Sequence, residues 1–157
     1  MTDHNDIPAS WQELARIIKE EDYFLIITHI FPDGDAMGSM TALHKLLFLL
    51  GKESRMTCSS ELPYQYRFLP GYEDIKSADL IEGIFHNKRT CIVLDCADGQ
   101  RTGMDLERLR QSGSLIINID HHKSNDLFGD INIVDSDKAA TSQMLFDLID
   151  GFFPDMI

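Results

Sequence analysis

A chain of 157 residues, 43% of them apolar, has length and material for one hydrophobic core and is short for two. Fourteen basic against twenty-six acidic residues leave a formal charge of −12, which excludes a binder of long duplex DNA and admits a phosphorylated ligand only where cations reverse the local charge. No run of about 18 uncharged apolar residues occurs, Met1 to His4 lack the order of a leader, and Cys58, Cys91 and Cys96 show no Cys-x-x-Cys spacing, so a soluble, cytoplasmic chain without membrane contact, disulfides or a thiolate zinc site is expected.

In chain order, Ser10 is a candidate cap with Glu13 at capping-box spacing, and Trp11, Leu14, Ile17 and Ile18 make the stripe of a first helix ending near Glu21. Tyr23 to Thr28 reads as a buried strand, followed by a Pro-Asp-Gly turn. A second helix is expected from Ala36 to Leu50, stopped by Gly51. The grammar repeats with a strand at Ser54 to Cys58, a helix at Ser77 to Phe85, a strand at Thr90 to Leu94, a helix at Asp105 to Gln111 and a strand at Leu115 to Ile119. Ile131 to Val134 reads as an edge strand, Ala139 to Ile149 as a closing helix, and Gly151 to Ile157 as a linker. Ser59 to Tyr72 is a long loop with a helical turn near Tyr64 to Phe68, and no chemistry is assigned to it. Alternating strands and helices predict an α/β fold, a doubly wound, mostly parallel sheet with helices on both faces.

In such a sheet, ligands sit beyond the carboxyl ends of the strands. Three apolar runs here end in metal-type donors: His29, Asp33 and Asp35 after the first, Asp95 with Asp98 behind it after another, and Asp120, His121 and His122 after a third. Singly each is weak, since an Asp after a strand is usually a turn residue. Together they would crowd carboxylates at one edge, which costs stability unless divalent cations neutralise them and take the imidazoles as neutral ligands. A set of His and Asp without thiolate suits Mn²⁺, with Mg²⁺ or Co²⁺ as substitutes and Fe²⁺ and Zn²⁺ left open.

The pattern His29-x-x-Pro32-Asp33-x-Asp35 with Gly38-Ser39, then Asp95, then Asp120-His121-His122, resembles the DHH phosphoesterase superfamily over nearly the whole chain. Phe68-Leu69-Pro70-Gly71, and Arg101 following Asp95, resemble its bacterial nanoRNase and 3′-phosphoadenosine-5′-phosphate phosphatase members. The resemblance implies that His29 and Asp33 hold one ion, Asp35 and His121 a second, and Asp95 bridges both. It also implies that His122 meets a substrate phosphate and that catalysis rests on Asp95, His121 and His122. Asp120 would orient His121 or a neighbour, and Asp98 would support the site from behind or serve a turn. Arg101 is a candidate phosphate contact or else an exposed loop salt bridge, and Ser39 is a second phosphate candidate, expected with Gly38 in the first turn of the second helix, where amides are free. Lys123, Ser124 and Asn125 read as a polar loop. The family's fourth motif, Gly-Ile-x-x-Asp-Thr-Gly, does not follow Asp120, so residues 1–157 are expected to be a catalytic domain cut before that motif and before the substrate-binding domain.

The implied activity is hydrolysis of short RNA oligonucleotides, linear dinucleotides or 3′-phosphoadenosine-5′-phosphate by a two-metal-activated water. The sequence leaves room for a homodimer. Two other readings stay open: an inactive metal-binding module, and a receiver-type signalling domain, which would need neither His29 nor the pair His121 and His122.

Overall fold

The computed structural model describes residues 8–81 and 83–156. Met1 to His4, read above for a leader, and Ile157 lie outside them. Ten elements run in the order α1 (Ala9–Glu20), β1 (Tyr23–Thr28), α2 (Gly34–Leu49), β2 (Glu53–Thr57), β3 (Ile75–Lys76), β4 (Thr90–Leu94), α3 (Leu106–Gln111), β5 (Leu115–Asp120), β6 (Ile131–Val134) and α4 (Thr141–Phe152), with short 3₁₀ turns between. The strands form one sheet in the order β3-β2-β1-β4-β5-β6, and every pairing is parallel.

The period of two along the central strands explains the layering. Phe24 and Ile26 point into the larger core, with Leu14 and Ile18 of α1, Met37, Met40, Leu43 and Leu47 of α2, and Met144 and Leu148 of α4. Leu25 and Ile27 point the other way, against Leu106 and Leu109 of α3 and Cys91, Val93 and Ile116. Strands apolar on both faces need cover on both, as expected of a doubly wound sheet. Because the chain leaves β1 for one face and β4 for the other, the carboxyl ends of these adjacent strands part and leave a crevice.

Several boundaries differ from expectation, each for a local reason. Ser10 is no cap: α1 starts at Ala9 after Pro8, without a side-chain cap bond. α2 starts at Gly34 because Asp33 caps it, its side chain accepting from the amides of Asp35 and Ala36. The segment expected as a helix over 77–85 holds a 3₁₀ turn at Ala78–Leu80. Gly83, at φ 68°, breaks the helical path there, although Ile81 and Ile84 still bury themselves in the smaller core. The supposed linker is core: Gly151 and Phe152 complete α4, and Phe153, 6% exposed, packs with the larger cluster. β3, two residues long, gave too little pattern to read.

Candidate metal centre

Asp95 is the centre of the crevice. It follows β4 directly, is 2% exposed, and holds a left-handed backbone at φ 57°, a conformation that Asp tolerates better than most residues. Its amide donates to the Ile119 carbonyl at 3.0 Å, which ties it to β5. Its Oδ1 accepts from the Thr141 hydroxyl at 3.0 Å, so the first residue of α4 fixes the carboxylate's orientation.

Two imidazoles face it in the same manner. His29 Nδ1 lies 2.8 Å from the Ile30 carbonyl and must donate to it, leaving Nε2 free, 3.8 Å from Asp95 Oδ2. His121 Nδ1 lies 3.3 Å from the Lys138 carbonyl, with Nε2 3.5 Å from Asp95 Oδ1 and 3.6 Å from Asp35 Oδ2. Such separations are long for hydrogen bonds. They are close to the spacing of donors around one cation, about 3 Å when each bond is about 2.1 Å. A backbone carbonyl on the far ring nitrogen is also the usual support of a ligating His.

The donors fall into two groups that share one residue. His29, Asp33 and Asp95 each offer an atom within 4.8 Å of the others, and so do Asp95, His121 and His122. Among the described residues no lysine or arginine pairs with Asp33, Asp35, Asp95 or Asp120, and the ion-pair partners of the last three are histidines. A proton feels the resulting field: the facing Asp95 carboxylate, opposed by burial and helped by the Ile30 carbonyl, holds His29 above its ordinary 6.5. A cation would feel the same field.

Asp35 behaves differently from its neighbours. Its Oδ2 accepts from the Thr141 amide and its Oδ1 from the Ser142 amide, both at 2.8 Å, so it caps α4 across more than a hundred residues of chain. Burial would raise its carboxyl, but the Ser142 hydroxyl, the two amides and His121 together hold it below 3.8. Its remaining capacity is turned to His121. Ser39 is a correction: α2 begins at Gly34, so Ser39 lies beyond the free amides, and its fully buried hydroxyl donates to Asp35 Oδ1 at 3.4 Å, leaving no surface for a phosphate.

Asp120, fully buried, bonds His122 Nδ1 at 2.7 Å through Oδ1 and accepts from Asn125 Nδ2 at 2.7 Å through Oδ2. It thus orients His122 and not His121. Asn125, read as a polar loop residue, is part of a buried network: its Nδ2 also donates to Asn118 Oδ1 and the Cys96 carbonyl, and Asn118 donates to the Val93 and Cys96 carbonyls. The signal for Asn118 was an amide inside an otherwise apolar strand, which needs partners when buried; Thr141 and Ser142 carried none. Asp98 caps the 3₁₀ turn Gly99–Thr102 through the Gln100 amide at 2.8 Å. Arg101 in that turn accepts from the Ile30 amide through its carbonyl at 2.7 Å. Its exposed side chain makes no bond among the described residues, while its charge acts on His29.

The parallel sheet brings His and Asp donors that could hold a metal to its switch point, and the chain belongs to the DHH family, whose N-terminal domain matches residues 23–156. Two relatives bear the name NrnA, bifunctional oligoribonuclease and PAP phosphatase. That of Thermus thermophilus is 38% identical over 148 residues, 91% of this chain and 42% of that protein. That of Bacillus subtilis is 29% identical over 136 residues, 87% of this chain and 41% of its own length. The crystal structure of an exopolyphosphatase-related protein from Bacteroides fragilis superposes with a TM-score of 0.84 at 26% identity, covering 94% of this chain and 45% of that one. The chain thus spans about two fifths of the relatives it matches. These matches, and a strand order unlike the 2-1-3-4-5 of receivers, remove the signalling reading. Among the described residues no helix is long and apolar enough to cross a membrane.

Proposed function

We propose that this chain is the catalytic domain of a divalent-cation-dependent phosphoesterase, served best by Mn²⁺, that hydrolyses short oligoribonucleotides, linear dinucleotides or 3′-phosphoadenosine-5′-phosphate. The observation that carries the reading is Asp95, a buried carboxylate shared by two donor groups and, among the described residues, paired with no lysine or arginine. The names of the NrnA relatives supply the substrate class. Imidazole nitrogen and carboxylate oxygen without thiolate supply the preference for Mn²⁺.

In this reading His29, Asp33 and Asp95 hold one cation, and Asp95, His121 and Asp35 hold the other. Bound there, the pair supplies Lewis acidity, neutralising phosphate charge and acidifying the attacking water. The remaining work falls to the protein. Asp120 accepts the Nδ1 proton of His122, which leaves Nε2 to carry a proton toward a phosphate oxygen and stabilise the charge that grows there. The unpartnered guanidinium of Arg101 receives a phosphate bidentately. Thr141 keeps Asp95 from turning away when a cation leaves. Both oxygens of Asp35 are engaged by α4, so the Asp35 and His121 position binds its cation more weakly than the His29 and Asp33 position.

The test is calorimetric titration with Mn²⁺ of the parent chain and of Asp95→Ala, followed by hydrolysis of the dinucleotide pApA. The parent is expected to bind in two unequal classes and to release mononucleotide, with Asp95→Ala losing both binding classes and turnover. Equal Mn²⁺ affinity in the two proteins would overturn the assignment of Asp95, and bound metal without turnover would reduce the chain to a metal-binding module.

A further inference from the structure

Among the described residues, three that are not glycine hold a positive φ: Phe31 at 54°, Asp95 at 57° and Leu127 at 57°. All three stand in loops that leave the carboxyl ends of strands, and Phe31 and Asp95 belong to the loops that carry the metal-type donors. Asp95 is explained by the need to aim its carboxylate. Phe31 has no such explanation from packing, since it is 78% exposed, and a bulky residue in this region is disfavoured where Asn or Gly would not be. Single exposed apolar residues are ordinary. An exposed ring on a disfavoured backbone between His29 and Asp33 is not.

The surroundings hold that backbone firmly. The Phe31 amide donates to Ser60 Oγ at 2.7 Å, and the Ile30 amide beside it to the Arg101 carbonyl at 2.7 Å. Cys58 reinforces the loop, its thiol donating to the His29 carbonyl at 3.6 Å. The long segment that follows β2 is therefore bound to the metal-ligand loop. Further along it, Tyr66 packs over Gly34, where an added Cβ would meet the ring at 3.3 Å. The same segment exposes Tyr64, with the Arg67 guanidinium 4.0 Å from its ring centroid. Aromatic rings beside arginines, adjoining a site for phosphate, are the ingredients of recognition of an unpaired base.

We propose that Phe31 is a stacking platform for the base of the nucleotide whose phosphate lies at the metal centre, and that it makes the site prefer nucleotides over base-free phosphate esters. The proposal rests on the phosphoesterase reading. Ser60 and Arg101 position the ring through the backbone, while the ring itself meets the substrate.

Two probes that share a phosphate and differ in the base test it: 2-aminopurine riboside 5′-monophosphate and ribose 5-phosphate, each titrated into the Mn²⁺-loaded chain. Stacking quenches 2-aminopurine fluorescence, a signature that a purely structural role would not produce. The parent and Phe31→Trp are expected to quench and to bind the base-bearing probe, and Phe31→Ala to bind it about 5- to 30-fold more weakly with no change for ribose 5-phosphate. Phe31→Asn, which suits the left-handed backbone, controls for folding and is expected to keep Mn²⁺ affinity and lose the quenching. Unchanged binding and quenching in Phe31→Ala and Phe31→Asn would overturn the platform alone. Failure of the parent to bind either probe would overturn the phosphoesterase reading and the platform with it.

Discussion

Replacing Asp35 by Ala should destabilise the metal-free domain, because this carboxylate joins the start of α2 to the start of α4 through bonds made within the protein. It accepts two amide bonds of 2.8 Å and a longer one from Ser39, and its side chain is 17% exposed. Loss of a helix cap costs about 0.5–2 kcal/mol, and a bond to a charged acceptor is worth about 1.5–3 kcal/mol. Because both amides would still find some water at the helix end, the two estimates together suggest a loss of about 2–4 kcal/mol, or roughly 5–15 °C in melting temperature for a domain of this size. The assay is thermal unfolding by circular dichroism in EDTA, which removes any contribution from bound metal. The pH dependence supplies a second reading. The folded-state carboxyl lies below 3.8, so its stabilisation is complete above the unfolded value and is lost as pH falls through the folded one. Parent and variant should therefore converge in strongly acidic buffer, part as pH rises through the lowered folded value, and be fully separated above about 4. Identical melting at pH 7 in EDTA would refute the assignment of Asp35 as the cap of α4.

Asp120→Asn should reduce turnover about 10- to 100-fold with an unchanged far-ultraviolet spectrum, because an amide no longer fixes the proton on His122 Nδ1; combined with His122→Ala it should add little further loss, and full additivity in pApA hydrolysis would count against their acting as one unit. Burial pushes the Cys91 and Cys96 thiols up to about 12, so neither should react with a thiol reagent at pH 8 in the native chain while both react in guanidinium, as mass spectrometry would show. Phe153→Ala should cost about 3–5 kcal/mol in urea unfolding if the segment after α4 is core, and almost nothing if it is a linker.

The sheet and the donors were legible because both rest on short-range signals. Apolar runs of five or six residues ending in Asp or His place strands and their carboxyl ends together, and the doubly wound topology gathers those ends without further information. What escaped depends on contacts between distant parts of the chain. Asp33 could be read as a ligand but not also as the cap of α2, which moved the helix start to Gly34 and took Ser39 out of the anion-binding turn. Asp35 looked like a ligand alone because its partners, Thr141 and Ser142, lie in an undistinguished stretch before the last helix. Asn125 resembled any polar loop residue until β4 and β5 brought Asn118 and Asp120 beside it. Gly83 is the residue in 77–85 that argues against a helix, and Ile81 and Ile84 are buried without one.

The attachment of α4 to Asp35 and Asp95 has a consequence for synthesis. During translation His29, Asp33, Asp35, Asp95, His121 and His122 all emerge before Thr141 and Ser142, so a nascent chain carries these donors before it carries their clasp. The carboxylates then repel one another with neither amide nor hydroxyl to restrain them, and a cation captured at that stage meets a loose set of donors instead of a shaped cage. Firm retention of any bound cation should therefore wait until the amino end of α4 reaches a loop made more than a hundred residues earlier.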